Sequence, residues 1–137
     1  MMKLEELQEL IYEYGNKIGL PPDSNLYPMF SSSGNVFSDG GTIYIDKDEY
    51  NYIIMERGKI NNHYKSSNLE DILYQIFKII TNSLASKYEL EHRNNKEDSR
   101  KIRWKKQMEL LGKINLNFIA TRQNEIEKIL KIAPYRD

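Results

Sequence analysis

The side chains of this 137-residue chain that could do chemistry are few and scattered. It has two histidines, His63 and His92. Neither has a second imidazole one helical turn away, so Glu89-Leu90-Glu91-His92 is not a zinc-hydrolase motif. Cysteine is absent, which excludes disulfides and thiolate metal sites. Ser31-Ser32-Ser33-Gly34 and Asp39-Gly40-Gly41 share only the composition of phosphate-cradling loops. Such a loop follows a strand and opens a helix, usually with Lys-Ser/Thr at its start. Gly41 leads into a strand pattern instead, so both stretches read as turns. Asp46, Asp48 and Glu49 supply neighbouring carboxylates. Hydrolytic acid catalysis would need one of them buried and raised in pKa. A charged hairpin tip does the opposite, which leaves a solvated turn or a contact with another protein.

Two charged groups remain. Arg100-Lys101-Ile102-Arg103-Trp104-Lys105-Lys106 is a dense basic run with an aromatic, a composition compatible with nucleic-acid binding. On a helical wheel its charges spread around the polar circumference, while Trp104 shares a face with Met108 and Leu111. Glu97 stands four residues before Lys101, the favourable order for a helix ion pair. A solvated helix with a core tryptophan is the better reading. Glu56 and Arg57 are less easily assigned. Glu56 continues the face of Tyr50, Tyr52 and Ile54, so it sits either at a sheet end or against an arginine such as Arg93 or Arg100. The pair is either a structural fixing of the turn or a contact for a partner.

The elements that must position these residues are legible. Leu4, Leu7, Ile11, Tyr14 and Ile18 form one stripe of an amphipathic helix, with Glu5, Glu6, Glu9 and Glu13 on its wet side. Gly19 and Pro21-Pro22 end it. Residues 21–41 are rich in turn formers. Leu26 to Phe30 is expected as a short edge strand because of Pro28, with Val36 and Phe37 tucked under the loop. Thr42 to Ile45 reads as a strand, Asp46 to Glu49 as a turn, and Tyr50 to Glu56 as a two-faced central strand. Arg57-Gly58 turns the chain and Lys59 to Tyr64 returns. Asn68 caps a long apolar helix over roughly 69–92. Asp98 or Glu97 opens a third helix that ends near Gly112. Asn115 or Asn117 caps a fourth, with Phe118, Ile119, Ile126, Ile129 and Leu130 apolar, and Pro134 ends it.

The expected fold class is therefore α+β: an N-terminal helix, an antiparallel three- to four-stranded meander, and three C-terminal helices packed on the sheet. The expected organisation is a single domain over 1–137, with a helix in 1–20, the meander in 26–65 and the helical part in 69–132. Twenty basic and twenty acidic residues cancel overall. Residues 1–50 nevertheless hold three Lys against nine Asp or Glu, and residues 51–137 hold seventeen Lys or Arg against eleven. An acidic sheet side could steer a basic partner. No apolar run approaches the roughly 18 residues of a membrane span. The start, Met1-Met2-Lys3-Leu4-Glu5-Glu6, has no apolar signal region, so a cytoplasmic protein is expected.

One series of residues resembles a known family. It begins with Tyr50-Asn51-Tyr52 and Glu56-Arg57-Gly58, and continues through Asp71, Leu73-Tyr74, Ala85, Tyr88-Glu89-Leu90 and Arg93. It resumes at Asp98, Arg100, Lys101 and Gln107-Met108-Glu109-Leu110-Leu111-Gly112, and closes on Ile129-Leu130 and Pro134-Tyr135-Arg136-Asp137. In this order the series is similar to immunity protein 63, among the immunity proteins of bacterial polymorphic toxin systems. The resemblance implies a cytoplasmic antidote that binds a cognate toxin domain and catalyses nothing itself. It brings no assigned contact residues. The contacts expected from the sequence are Tyr44, Asp46, Asp48, Glu49, Glu56 and Arg57. No metal or cofactor is expected. The alternative is a nucleic-acid-binding regulator using Arg100 to Lys106.

Overall fold

In a computed structural model, which describes residues 1–136, the first element is helix α1, Leu4–Lys17. Leu7 and Ile11, one turn apart on its apolar stripe, are fully buried. The helix stops where the sequence places Gly19. The Gly19 N–H donates to the Asn16 carbonyl (3.1 Å) and the Leu20 N–H to the Gly15 carbonyl (2.9 Å). This closure needs a left-handed residue, and Gly19 has φ 75°.

Four strands follow: β1 Met29–Phe30, β2 Gly40–Asp46, β3 Glu49–Glu56 and β4 Lys59–Ser66, in spatial order β1-β2-β3-β4. β2, β3 and β4 form the expected antiparallel meander. β1 departs from it, pairing parallel to β2 with Met29 opposite Thr42 and Phe30 opposite Ile43. The sheet is therefore mixed. Pro28 has no N–H to give a ladder and restricts the strand to two residues. The loop over 31–39 then carries the chain back along the sheet before β2 begins. Phe37 on this loop is 83% exposed rather than tucked in.

Residues directly opposite one another share a face of a sheet. One face carries Ile43, Tyr52 and Tyr64 in one row and Ile45, Tyr50 and Ser66 in the next. Ile43, Tyr50 and Tyr52 are buried, and burial pushes the Tyr52 hydroxyl well above the usual tyrosine range. A Cβ at Gly41, opposite Ile54 on the same face, would lie 2.7 Å from the Tyr52 ring, so the ring leaves no room for a side chain at position 41. The opposite face carries Thr42, Ile53 and His63 in one row and Tyr44, Asn51 and Lys65 in the next.

Helix α2, Leu69–Glu91, opens on Asn68, whose side chain accepts the Asp71 N–H at 3.1 Å. α3 is Ser99–Gly112, capped by Asp98, and α4 is Leu116–Ile132, capped by Asn115. Glu97 lies ahead of α3, so its spacing to Lys101 is not a spacing within a helix. An N-terminal helix, a four-stranded mixed sheet and three further helices make the fold α+β.

The residues group into two compact units, Met1–Ile76 and Phe77–Asp137, with the boundary inside α2. In the first, Leu7, Ile11, Ile43, Tyr52, Ile72, Leu73 and Ile76 are buried. In the second, Phe77, Ile80, Ala85, Trp104, Leu111, Phe118 and Ile126 are buried, whereas Ile129 is 37% exposed. This unit also encloses polar side chains. Gln107 Nε2 donates to the Lys78 carbonyl (3.0 Å) and to Thr81 Oγ1 (3.2 Å), while Gln107 Oε1 accepts from Arg122 Nε (3.0 Å). Glu125 receives both Arg122 (3.3 Å) and Lys78 (3.1 Å). α2, α3 and α4 are thus joined by one polar network.

Candidate partner-binding site

The two hairpin turns of the sheet carry five of the six expected contact residues. The β2–β3 turn is the tetrad Asp46-Lys47-Asp48-Glu49, with Asp46 opposite Glu49. Lys47 and Asp48 have φ 50° and 63°. Positive φ at both central residues is what a two-residue turn needs to follow the right-handed twist of its strands. All four side chains are exposed, and three of them are carboxylates. Tyr44 stands two residues before this turn on β2, half-buried. Its ring centroid is 6.4 Å from that of His63. Tyr44, Asp46, Asp48 and Glu49 therefore lie at one end of the hairpin.

Glu56 and Arg57 lie at the other end of β3. Strand rise puts the two turns about 23 Å apart along seven residue steps. The six residues form two separate groups rather than one patch. Both Glu56 and Arg57 are exposed. The arginines considered as partners for Glu56 are bound elsewhere: Arg93 grips Glu89 through two bonds of 3.0 and 3.1 Å, and Arg100 grips Asp98 at 2.8 Å.

Arg57 (φ 51°) and Gly58 (φ 76°) make a second turn of the same kind. A non-glycine residue in this region costs about 1 kcal/mol. Asp39 offsets it: its carboxylate accepts the Arg57 N–H and the Gly58 N–H, each at 3.0 Å. The turn's orphan donors are thus held by a residue 18 positions away in the chain. The sequence gives Asp39 only a turn-former's role, since no local spacing links it to Arg57.

The Tyr44–Asn51–Lys65 face of the sheet carries a polar group that sequence reasoning missed. Asn51 is buried. Its Nδ2 donates to the Glu49 carbonyl (3.1 Å), and its Oδ1 meets His63 Nε2 at 2.8 Å. Because Oδ1 can only accept, His63 Nε2 carries a proton. Partial desolvation and the nearby Lys65 hold the His63 pKa below the usual histidine value, against an opposing pull from Glu49. Tyr44, Glu49, Asn51, His63 and Lys65 thus form a connected polar surface beside the acidic tip. The alternation of β4, with His63 and Lys65 two apart, is the signal that could have placed them with Tyr44.

The remaining candidates for chemistry are committed to structure. His92 stacks on Tyr88 with centroids 4.0 Å apart, and its Nδ1 donates to the Tyr88 carbonyl at 2.8 Å. Arg93 holds Glu89 below the usual carboxylate range, and Arg100 does the same for Asp98, which also accepts the Arg100 and Arg136 N–H groups. In the basic run, Arg100 donates to the carbonyls of Ala133 (2.8 Å) and Pro134 (2.9 Å). Lys101 lies over the Tyr135 ring and Lys106 over the Tyr88 ring. Among the described residues no group of His, Asp and Glu could hold a metal ion, and no helix is long and apolar enough to cross a membrane.

The chain is thus an α+β scaffold with a charged hairpin surface exposed at its β2–β3 turn. The chain matches the family model for immunity protein 63 over residues 46–128, more than half of its length, and belongs to that family. The matched segment begins at the acidic turn itself. Of the resembling residues in the C-terminal tail, Asp137 lies outside the described residues. No curated protein and no solved structure matches the chain.

Proposed function

We propose that this protein is the cytoplasmic immunity protein of a bacterial polymorphic toxin system, which binds a cognate toxin domain and blocks it without catalysis of its own. The observation that carries this reading is membership of the immunity protein 63 family, over a segment that includes both hairpin turns. The whole chain then works as one immunity domain, with no metal or cofactor. Its toxin contacts are the acidic tip with Tyr44, Asp46, Asp48 and Glu49, and secondarily Glu56 and Arg57 at the far turn. Three unpaired carboxylates at a strand tip suit a basic surface, and opposite charge raises the rate of encounter more than it deepens final affinity.

Co-expression with the C-terminal domain encoded by the neighbouring reading frame tests the proposal. Growth rescue together with a co-purifying complex is expected. A toxic neighbour that is neither rescued nor bound would sink the pairing. The alternative, a nucleic-acid-binding regulator using Arg100 to Lys106, draws little support from side chains already turned to Asp98, Tyr88, Tyr135 and the C-terminal carbonyls. It would require steeply salt-dependent retention on DNA or heparin.

A further inference from the structure

β4 ends the sheet and has β3 as its only neighbour. Its other side is a free edge, along which Lys59 to His63 and Lys65 are exposed. The two hairpins fix which main-chain groups face outward. In a two-residue hairpin the residues flanking the turn bond to each other, and the bonding side alternates along the strand from there. Glu49 flanks the β2–β3 turn and so bonds to β2. Tyr50, Tyr52 and Ile54 then bond to β4, through Ser66, Tyr64 and Asn62. Glu56 and Lys59, flanking the second turn, keep the same phase. The N–H and C=O groups of His63 and Lys65 are left pointing away from the sheet. Among the described residues, no backbone group outside the sheet bonds to them.

A free edge invites another strand, and natural edges are guarded against the wrong one. Here the guard is selective. Asn61 is the extra residue of a bulge opposite Ile54 and Met55, so regular pairing stops at Asn62. β4 carries Lys59 and Lys65 and no carboxylate. A second copy of β4 would bring four ammonium groups onto one ladder, and like charges across strands repel. Lys65 makes no ion pair among the described residues. The charge that turns away a second copy favours a strand with a carboxylate opposite Lys65.

We infer that β4 is a docking edge for an extended acidic segment of a protein partner, which joins the sheet through the main chain of His63 and Lys65 and sets a carboxylate opposite Lys65. The occupant is a segment of the cognate toxin domain, so the inference rests on the toxin-binding reading. Main-chain bonds supply the attraction, and the side chains supply the selection. The edge adjoins the acidic tip: Lys65 stands opposite Asn51, two residues from Glu49. One partner thus meets a cationic edge beside an anionic turn.

Amide hydrogen exchange is measured residue by residue on the free protein, and on the complex co-purified with the C-terminal domain encoded by the neighbouring reading frame. In the free protein the His63 and Lys65 amides should exchange quickly, while those of Asn62 and Tyr64, bonded to β3, are protected. In the complex the first two should slow about a hundredfold or more. Lys65→Pro removes an N–H that β3 does not use, so the fold should survive and binding should weaken about tenfold or more. Lys65→Glu should weaken binding too, most of all at low salt. A complex in which the His63 and Lys65 amides exchange as in the free protein would overturn the inference and leave the toxin reading standing. So would binding undiminished by both variants. Absence of any complex would remove the toxin reading and this occupant with it. Protection of the two amides in the free protein, rising with concentration, would put a second copy on the edge instead and overturn the inference.

Discussion

Asn51 Oδ1 and His63 Nε2 face each other at 2.8 Å across β3 and β4. Asn51 is oriented by its own bond to the Glu49 carbonyl, so the histidine is held in one tautomer next to the acidic tip. Partial desolvation and Lys65 disfavour the imidazolium. The folded-state pKa is therefore below that of the unfolded chain, and the unfolded chain takes up the proton first. The stabilising contribution of His63 is complete above the ordinary value of about 6.5 and is lost as pH falls through the folded value. NMR titration of the His63 ring should give a midpoint below that of His in an unfolded peptide. Asn51→Asp, which adds a carboxylate in contact, should raise it. A midpoint at or above the peptide value would refute the assignment.

Asp39 holds the β3–β4 turn by accepting two N–H groups, and Arg57 would otherwise sit in its left-handed conformation unsupported. Asp39→Ala should destabilise the protein by about 1 kcal/mol in urea unfolding, the net value of a surface hydrogen bond or two. Asp39→Asn keeps one acceptor oxygen and should recover part of that loss. Arg57→Gly, which removes the backbone penalty, should stabilise or be neutral. A destabilising Arg57→Gly would mean that the arginine side chain, not its backbone, matters to the fold.

What the sequence makes legible is what local chemistry encodes. Gly19, Asn68, Asp98 and Asn115 mark helix ends because each does its work within four residues of itself. Both hairpins are readable because a turn is a four-residue object. The edge strand within 26–30 is legible from Pro28, but its parallel pairing is not, since two residues carry no period and a parallel pair leaves no turn to recognise. Gln107 and Arg122 stand three residues after Trp104 and four after Phe118, on the apolar stripes of their helices. Their polar types nonetheless read as solvent, and only their meeting at 3.0 Å explains why both are buried. Five of the six expected contact residues, all but Tyr44, are legible as exposed charges, but their division between two turns depends on the length of β3. The clamp from Asp39 to Arg57 depends on pairing between distant segments.

The acidic tip gives the most direct test of the proposed surface. Asp46→Lys, Asp48→Lys and Glu49→Lys together replace three negative charges at an exposed turn. Association with the toxin domain should slow about tenfold or more at low salt, and the difference should shrink as added salt screens it. Stability should fall by no more than about 1–2 kcal/mol, most of it from Asp48→Lys at a left-handed position (φ 63°) that Asp tolerates better than Lys. Stopped-flow binding at two salt concentrations separates the outcomes. An association rate equal to that of the unaltered protein at low salt would remove the tip from the interface.

The network of Gln107 and Arg122 predicts coupling rather than simple addition. Arg122→Met leaves Gln107 Oε1 without its donor, and Gln107→Leu leaves a buried guanidinium short of one acceptor and Thr81 Oγ1 short of one partner. Each single change should cost about 1–3 kcal/mol, because one partner stays behind unsatisfied. Making both changes removes the orphan along with the bond, so the double variant should lose less than the sum of the two. Glu125 still has Lys78 in that variant, which limits the remaining damage. Urea unfolding of the four proteins closes the cycle. A double variant as unstable as the sum would show that the two side chains act independently and that their burial, rather than their bond, sets the cost.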